Sequence, residues 1–191
     1  MTARTHDLIA FASLITVAVY YPPPTLNITT TLTCLVGCVV GALIPDLDQA
    51  TNRLWDLLPA GNFIGKIFRN LLLQHRTLSH SILGIYLGYL LLSFIVPRLL
   101  NPTSIDVHIV VLSLMIGLIS HVAADMLTKD GVPLFFPLPF KIGIPPFKSF
   151  RITTGKFFEN FIIFPGVIVY ILWFIFTQKD TLLSLVKLIH S

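Results

Sequence analysis

Residues 107–125 read VHIVVLSLMIGLISHVAAD, and this stretch decides the fold. Between His108 and His121 it holds no Asp, Glu, Lys, Arg or His. The apolar run 107–124 approaches the ~20 residues that a helix needs to cross the hydrocarbon core of a bilayer. Within lipid a helix satisfies its backbone polar groups inside one segment, so helix is the expected form. The run ends on His121 and Asp125. Residues four apart lie about 40° apart around a helix axis and about 6 Å apart along it, so both side chains can reach one ion. A buried hydrogen-bonded pair has the same spacing, and the two residues alone do not choose between these readings.

Working outward, four more apolar segments appear, at 8–21, 28–44, 81–96 and 161–177. The 191-residue chain is 54% hydrophobic and only 12% charged, where globular domains carry about 25% charged residues. Its mean hydropathy of +0.83 is too high for a soluble domain of this size to cover its surface. Disordered, collagen-like and ordinary cytosolic classes are excluded. The expected architecture is all-α: one transmembrane helical domain, 1–191, of about five spans. The first segment follows Arg4 and reads as a retained span, because Tyr21-Pro22-Pro23-Pro24 lacks the small-x-small pattern of a signal cleavage site.

Prolines mark the breaks: Pro22 to Pro24 after the first segment, Pro45 after the second, Pro97 and Pro102 after the third. Residues 131–150 hold Pro133, Pro137, Pro139, Pro145 and Pro146 among aromatics and cannot be regular helix. They read as an irregular interfacial loop. Residues 62–73 space their apolar side chains three and four apart, as an amphipathic helix on the membrane surface would. Cys34 and Cys38 share one helix face inside an apolar run and read as small packing residues, not a disulfide.

Charge gives an orientation. With five spans, one side carries Arg4, Arg53, Lys66, Arg69, Arg76, Lys129, Lys141, Lys148, Arg151 and Lys156. The other carries Arg98, Lys179 and Lys187. Basic loops stay in the cytoplasm, so the N-terminus and both large loops are expected there. The same bias accounts for the net charge of +4 and the pI near 9.2. No run of basic residues forms a stripe for nucleic acid.

The unusual polar residues fall at that cytoplasmic end. His6 opens the first span, Asp46 and Asp48 follow the second, and His75 and His80 precede the third. His121 and Asp125 end the fourth; Thr154, Gly155 and Glu159 open the fifth. Helix direction alternates, yet each group lands at one end. Asp106, His108, Asp180 and His190 fall at the other end and read as interfacial or tail residues. His75 and His80 can converge if His75 lies in a loop and His80 enters the helix, with Ser79 as its cap. Candidate ligands are therefore His6, Asp46, Asp48, His75, His80, His121 and Asp125. Seven exceed the needs of one tetrahedral zinc and suit two ions about 3.5–4 Å apart. Imidazole and carboxylate without thiolate favour zinc, manganese or iron over calcium.

These residues resemble a known family. Ile44-Pro45-Asp46-Leu47-Asp48, His75-Arg76-Thr77-Leu78-Ser79-His80-Ser81 and Ser120-His121 through Asp125 to Thr128 are similar to motifs of the YdjM-like family of membrane-bound metal-dependent hydrolases. Gly131-Val132-Pro133, Thr154-Gly155 and Glu159 fit the same pattern, His6 and Glu159 more loosely. The resemblance implies an inner-membrane protein with phospholipase-like hydrolysis. A hydrolase reading of these residues has Asp46 or Asp48 taking a proton from water and Arg76 neutralising a phosphate of a phosphoester lipid, with Lys156 better read as an anchor to anionic lipid headgroups. Two other classes stay open: a metal-ion or proton transporter, and a membrane protein whose metal only staples helix ends. The middles of the five segments lack ionisable residues, which favours a one-sided site over a path through the bilayer.

Overall fold

The computed structural model describes residues 1–47 and 78–189. Over them the chain forms α1 (Ala3–Tyr20), α2 (Ile28–Leu43), α3 (Ile82–Leu99), α4 (Val107–Met126), α5 (Phe164–Thr177) and α6 (Lys179–Ile189). Short 3₁₀ turns lie at Ile44–Asp46, Leu78–His80 and Lys148–Phe150, and a π turn at Glu159–Ile163 precedes α5. No strand forms among the described residues. The five apolar segments are α1 to α5, and four stretches are long and apolar enough to cross a membrane: Ile28–Asp46, Ile82–Leu99, Val107–Met126 and Glu159–Thr177. α1 has 18 residues but carries Arg4, His6 and Asp7 near its start. The chain stays helical beyond residue 177, where the sequence reading stopped, and α6 follows α5 directly. The amphipathic helix expected over 62–73 lies outside the described residues.

Local chemistry sets the helix starts. Asn27 accepts from the Thr30 amide (2.7 Å) at the head of α2. Asp106 accepts from the His108 and Ile109 amides (3.0 and 3.2 Å) at the head of α4. Such side-chain caps satisfy amides that have no partner within the helix. At α3 the cap is Ser81, which accepts from Gly84 N at 3.0 Å, not Ser79 as expected from sequence. The 3₁₀ turn at Leu78–His80, closed by Ser81 N donating to Leu78 O (3.1 Å), delays the α-helix by two residues.

α4 is the centre of the bundle, with α1, α2 and α3 packed on it and α5 against α1. Lipid is as apolar as leucine, so these helices associate by close packing rather than by escape from water. Glycines make that packing possible. A Cβ on Gly41 of α2 would stand 2.0 Å from Leu114 O, and one on Gly117 of α4 would stand 1.9 Å from Cys38 O. The α2 and α4 backbones therefore touch. Cys34 and Cys38 are free, buried thiols in this seam, as expected, and Cys38 donates to Ala10 O of α1 (3.3 Å). Outward positions such as Val36, Leu91, Leu112, Val169 and Trp173 stay exposed, as on lipid-facing surfaces.

The proline-rich loop is irregular, as expected, but fastened. Val132 and Ile142 exchange two backbone hydrogen bonds of 2.8 Å, Ile144 N donates to Met126 O, and Ile152 N donates to Leu127 O. Ile82 N donates to Leu134 O (2.9 Å), which ties the loop to the start of α3. Arg151 donates to Pro145 O and Pro146 O (2.7 and 2.8 Å). The loop is thereby held against the end of the bundle where α3 and α5 begin and α2 and α4 finish.

Candidate metal centre

Four helix ends supply the donors, and a fifth lies beside them. Alternating direction places the start of α1, the end of α2, the turn before α3, the end of α4 and the turn before α5 at one end of the bundle. Pro45 sits at the start of the Ile44–Asp46 turn, which leaves the α2 axis and carries Asp46. Gly84 permits the Leu78–His80 turn to lie on α3: a Cβ there would stand 1.8 Å from Leu78 O. His80 is buried as a result.

Among the described candidates, His6, Asp46, His80, His121 and Asp125 come together. Nε2 of His80 lies 3.7 Å from Asp46 Oδ1 and 3.6 Å from Asp125 Oδ2. Nε2 of His121 lies 3.7 Å from Asp46 Oδ1 and 3.8 Å from Asp125 Oδ2. A tetrahedral zinc with ligands at about 2.0–2.1 Å spaces its donors about 3.3–3.4 Å apart, and each of these four distances exceeds that spacing by only a few tenths of an ångström. On the other side of the Asp125 carboxylate, Oδ1 faces His6 Nε2 at 3.2 Å and accepts from the Met1 α-amino group. Two donor groups could hold a metal ion, His6–His121–Asp125 and Asp46–His80–His121, and they share His121. Asp48 and His75, the remaining candidate ligands, and Arg76 lie outside the described residues.

The surroundings orient the donors. His121 Nδ1 lies 2.6 Å from Ala42 O, a carbonyl of α2. A carbonyl only accepts, so Nδ1 carries the proton, which leaves Nε2 as the atom that faces the cluster and would offer its lone pair to a metal. His80 Nδ1 is 3.0 Å from Ser79 Oγ, which likewise directs its Nε2 inward. The rings of His6 and His121 stack, and His80 meets His121 edge-on with centroids 5.3 Å apart. Asp46 Oδ1 and His121 Nε2 are buried without a hydrogen bond among the described residues. Buried polar atoms nearly always find partners, and a cation would provide one here. The donor set, imidazole and carboxylate without thiolate, fits a divalent metal.

Glu159 has a different place. Its Oε1 accepts from Thr2 N (2.6 Å), Thr2 Oγ1 (2.8 Å) and Thr5 Oγ1 (2.7 Å), and its Oε2 accepts from Gly155 N (2.8 Å). It binds the start of α1 rather than the donor cluster. Sequence reasoning missed this clasp, the Ala42 carbonyl and the Met1 amine. Thr2 and Thr5, just before the first histidine, were the available signal for the clasp.

The description of the matching family agrees with the membrane architecture. A family model described as "YdjM inner membrane protein" matches residues 1–186. An uncharacterized protein, YvsG, of Bacillus subtilis (strain 168) is 29% identical over 163 residues, which is 85% of this chain and 88% of the relative. No solved structure matches.

Proposed function

The chain belongs to the YdjM inner membrane protein family, and we propose that it is a metal-dependent hydrolase that acts at the cytoplasmic face of the membrane on a phosphoester lipid. The observation that carries this reading is the convergence of His6, Asp46, His80, His121 and Asp125 from four helix ends on one buried space. A divalent cation there, with zinc favoured and manganese or iron as alternatives, would act as a Lewis acid and lower the pKa of bound water. A pair of ions is in keeping with the two donor groups.

The protein's own groups divide the work by exposure. The Asp125 side chain is 0% exposed and faces three imidazoles, which suits a ligand. The Asp46 side chain is 23% exposed, so it is the carboxylate in the cluster that can pass a proton to solvent. Asp48 and Arg76 complete the site in this reading, Arg76 as the phosphate partner. The fastened loop supports a lipid substrate: exposed Phe135, Phe140, Phe147 and Phe150 are interspersed with Lys141 and Lys148, and Lys129 and Lys156 flank it. Aromatic rings and snorkelling lysines are what headgroup level favours.

The test is elemental analysis of purified protein followed by a screen of phospholipids. Bound metal should fall in His121→Ala and Asp46→Ala and stay at the wild-type level in His108→Ala, at the other end of α4. Equal metal content in all three would overturn the site. Metal uptake into liposomes, abolished by Asp125→Ala and unaccompanied by lipid hydrolysis, would overturn the hydrolase.

A further inference from the structure

We propose that Glu159 is a positioning residue for the metal centre: by clasping the first turn of α1 it sets His6 beside Asp125, and so makes the fifth span part of the site without supplying a ligand. This rests on the cluster being a metal site.

α1 begins without a side-chain cap of its own, since Thr2 stands at its N-cap and makes no capping bond. A carboxylate from the far end of the chain instead takes the Thr2 amide and the Thr2 and Thr5 hydroxyls. Glu159 is fully buried, yet both its oxygens are occupied, by two amides and two hydroxyls. Negative charge at a helix start is favoured by the macrodipole, and amide and hydroxyl donors to a carboxylate are among the stronger hydrogen bonds.

The clasp is built from both sides. Gly155 has φ +70°, a conformation open to glycine, and it turns its amide onto Oε2. Thr2 Oγ1 and Thr5 Oγ1 are 3.0 Å apart and converge on Oε1. The π turn at Glu159–Ile163, in which Phe164 N donates to Glu159 O, sits directly before Pro165 of α5. A proline cannot donate and crowds the carbonyl four residues back, so the widened turn is the local accommodation that starts this helix.

The geometry then transmits to the donors. Thr5 and His6 are adjacent, and the same helical turn touches Glu159 on one side and Asp125 on the other. His6 lies flat on His121, which Ala42 O fixes. Without the clasp the first turn of α1 loses the three hydrogen bonds that tie it to Glu159, and more of the ordering of His6 must then come from metal binding itself. Affinity falls accordingly, as it does when outer partners of metal ligands are removed elsewhere.

The experiment is a Zn²⁺ titration of the purified full-length protein against a competing chelator, with the visible spectrum of the Co²⁺-loaded protein as a second readout. Glu159→Ala should weaken Zn²⁺ binding by about tenfold and shift the Co²⁺ spectrum in the same way as His6→Ala. The double variant should bind no more weakly than His6→Ala alone, because Glu159 acts through His6. Thr5→Val, a milder change that keeps side-chain volume, should move in the same direction, and Thr5→Ser should restore binding. Additive losses, or a Glu159→Ala variant with wild-type affinity and spectrum, would overturn the positioning role alone. A wild-type protein that binds neither Zn²⁺ nor Co²⁺ would overturn the metal site and this role together.

Discussion

The imidazole of His6 lies flat on that of His121, with ring centroids 3.7 Å apart and planes inclined by 8°. One ring comes from the start of the first helix and the other from the end of the central one. The stack excludes water from the space between them and aims both rings at the single carboxylate of Asp125. The stack and the Ala42 carbonyl together fix the orientation of both rings.

That order can be separated from ligation. His6→Phe keeps a flat ring to stack on His121 but removes the nitrogen. The variant should fold and retain a thermal midpoint near wild type in detergent, while its Zn²⁺ affinity drops by about tenfold or more. Unchanged affinity in a chelator competition would remove His6 from the ligand set.

The contact between α2 and α4 makes a second prediction. Any side chain at Gly117 must displace the Cys38 carbonyl. Gly117→Val should cost about 1–3 kcal/mol or more, because neither backbone can yield without losing packing along the seam. Size-exclusion profiles and thermal scans in detergent would read this as aggregation and a lowered midpoint. A well-behaved Gly117→Val protein with a normal midpoint would contradict the seam.

A smaller effect is expected at Ser81, whose hydroxyl accepts from Gly84 N and donates to Leu78 O (2.7 Å). Ser81→Ala should destabilise by about 1 kcal/mol, and Ser81→Thr should recover most of it. Thermal scans of the three proteins side by side would check the order.

Much of this was legible in the sequence because two signals are strong in lipid. Long apolar runs fix the helices, and charged or imidazole side chains placed at their ends stand out against a nearly uncharged background. His121 and Asp125 could be paired from spacing alone. Asp46 could be placed at a helix exit from Pro45. What stayed hidden depended on contacts between distant elements. Nothing local to Glu159 says that it grips Thr2 and Thr5, and nothing near Ala42 says that its carbonyl sets a tautomer. Ser79 was taken for the α3 cap because the intervening 3₁₀ turn leaves no mark in the sequence. The helical continuation beyond Thr177 was overlooked because Lys179 and Asp180 resemble a solvated tail.

The seam formed by Gly41 and Gly117 bears on how a bulky molecule could approach the buried donors. Two backbones in direct contact can neither slide nor part without breaking that contact, so the Asp46 and His121 walls behave as one rigid jaw. Of the helices around the site, α3 is the one whose surface is most largely exposed, whereas α1 is packed along its length on α4 and α2. Any opening toward the buried donors therefore has to come from somewhere other than the α2–α4 contact.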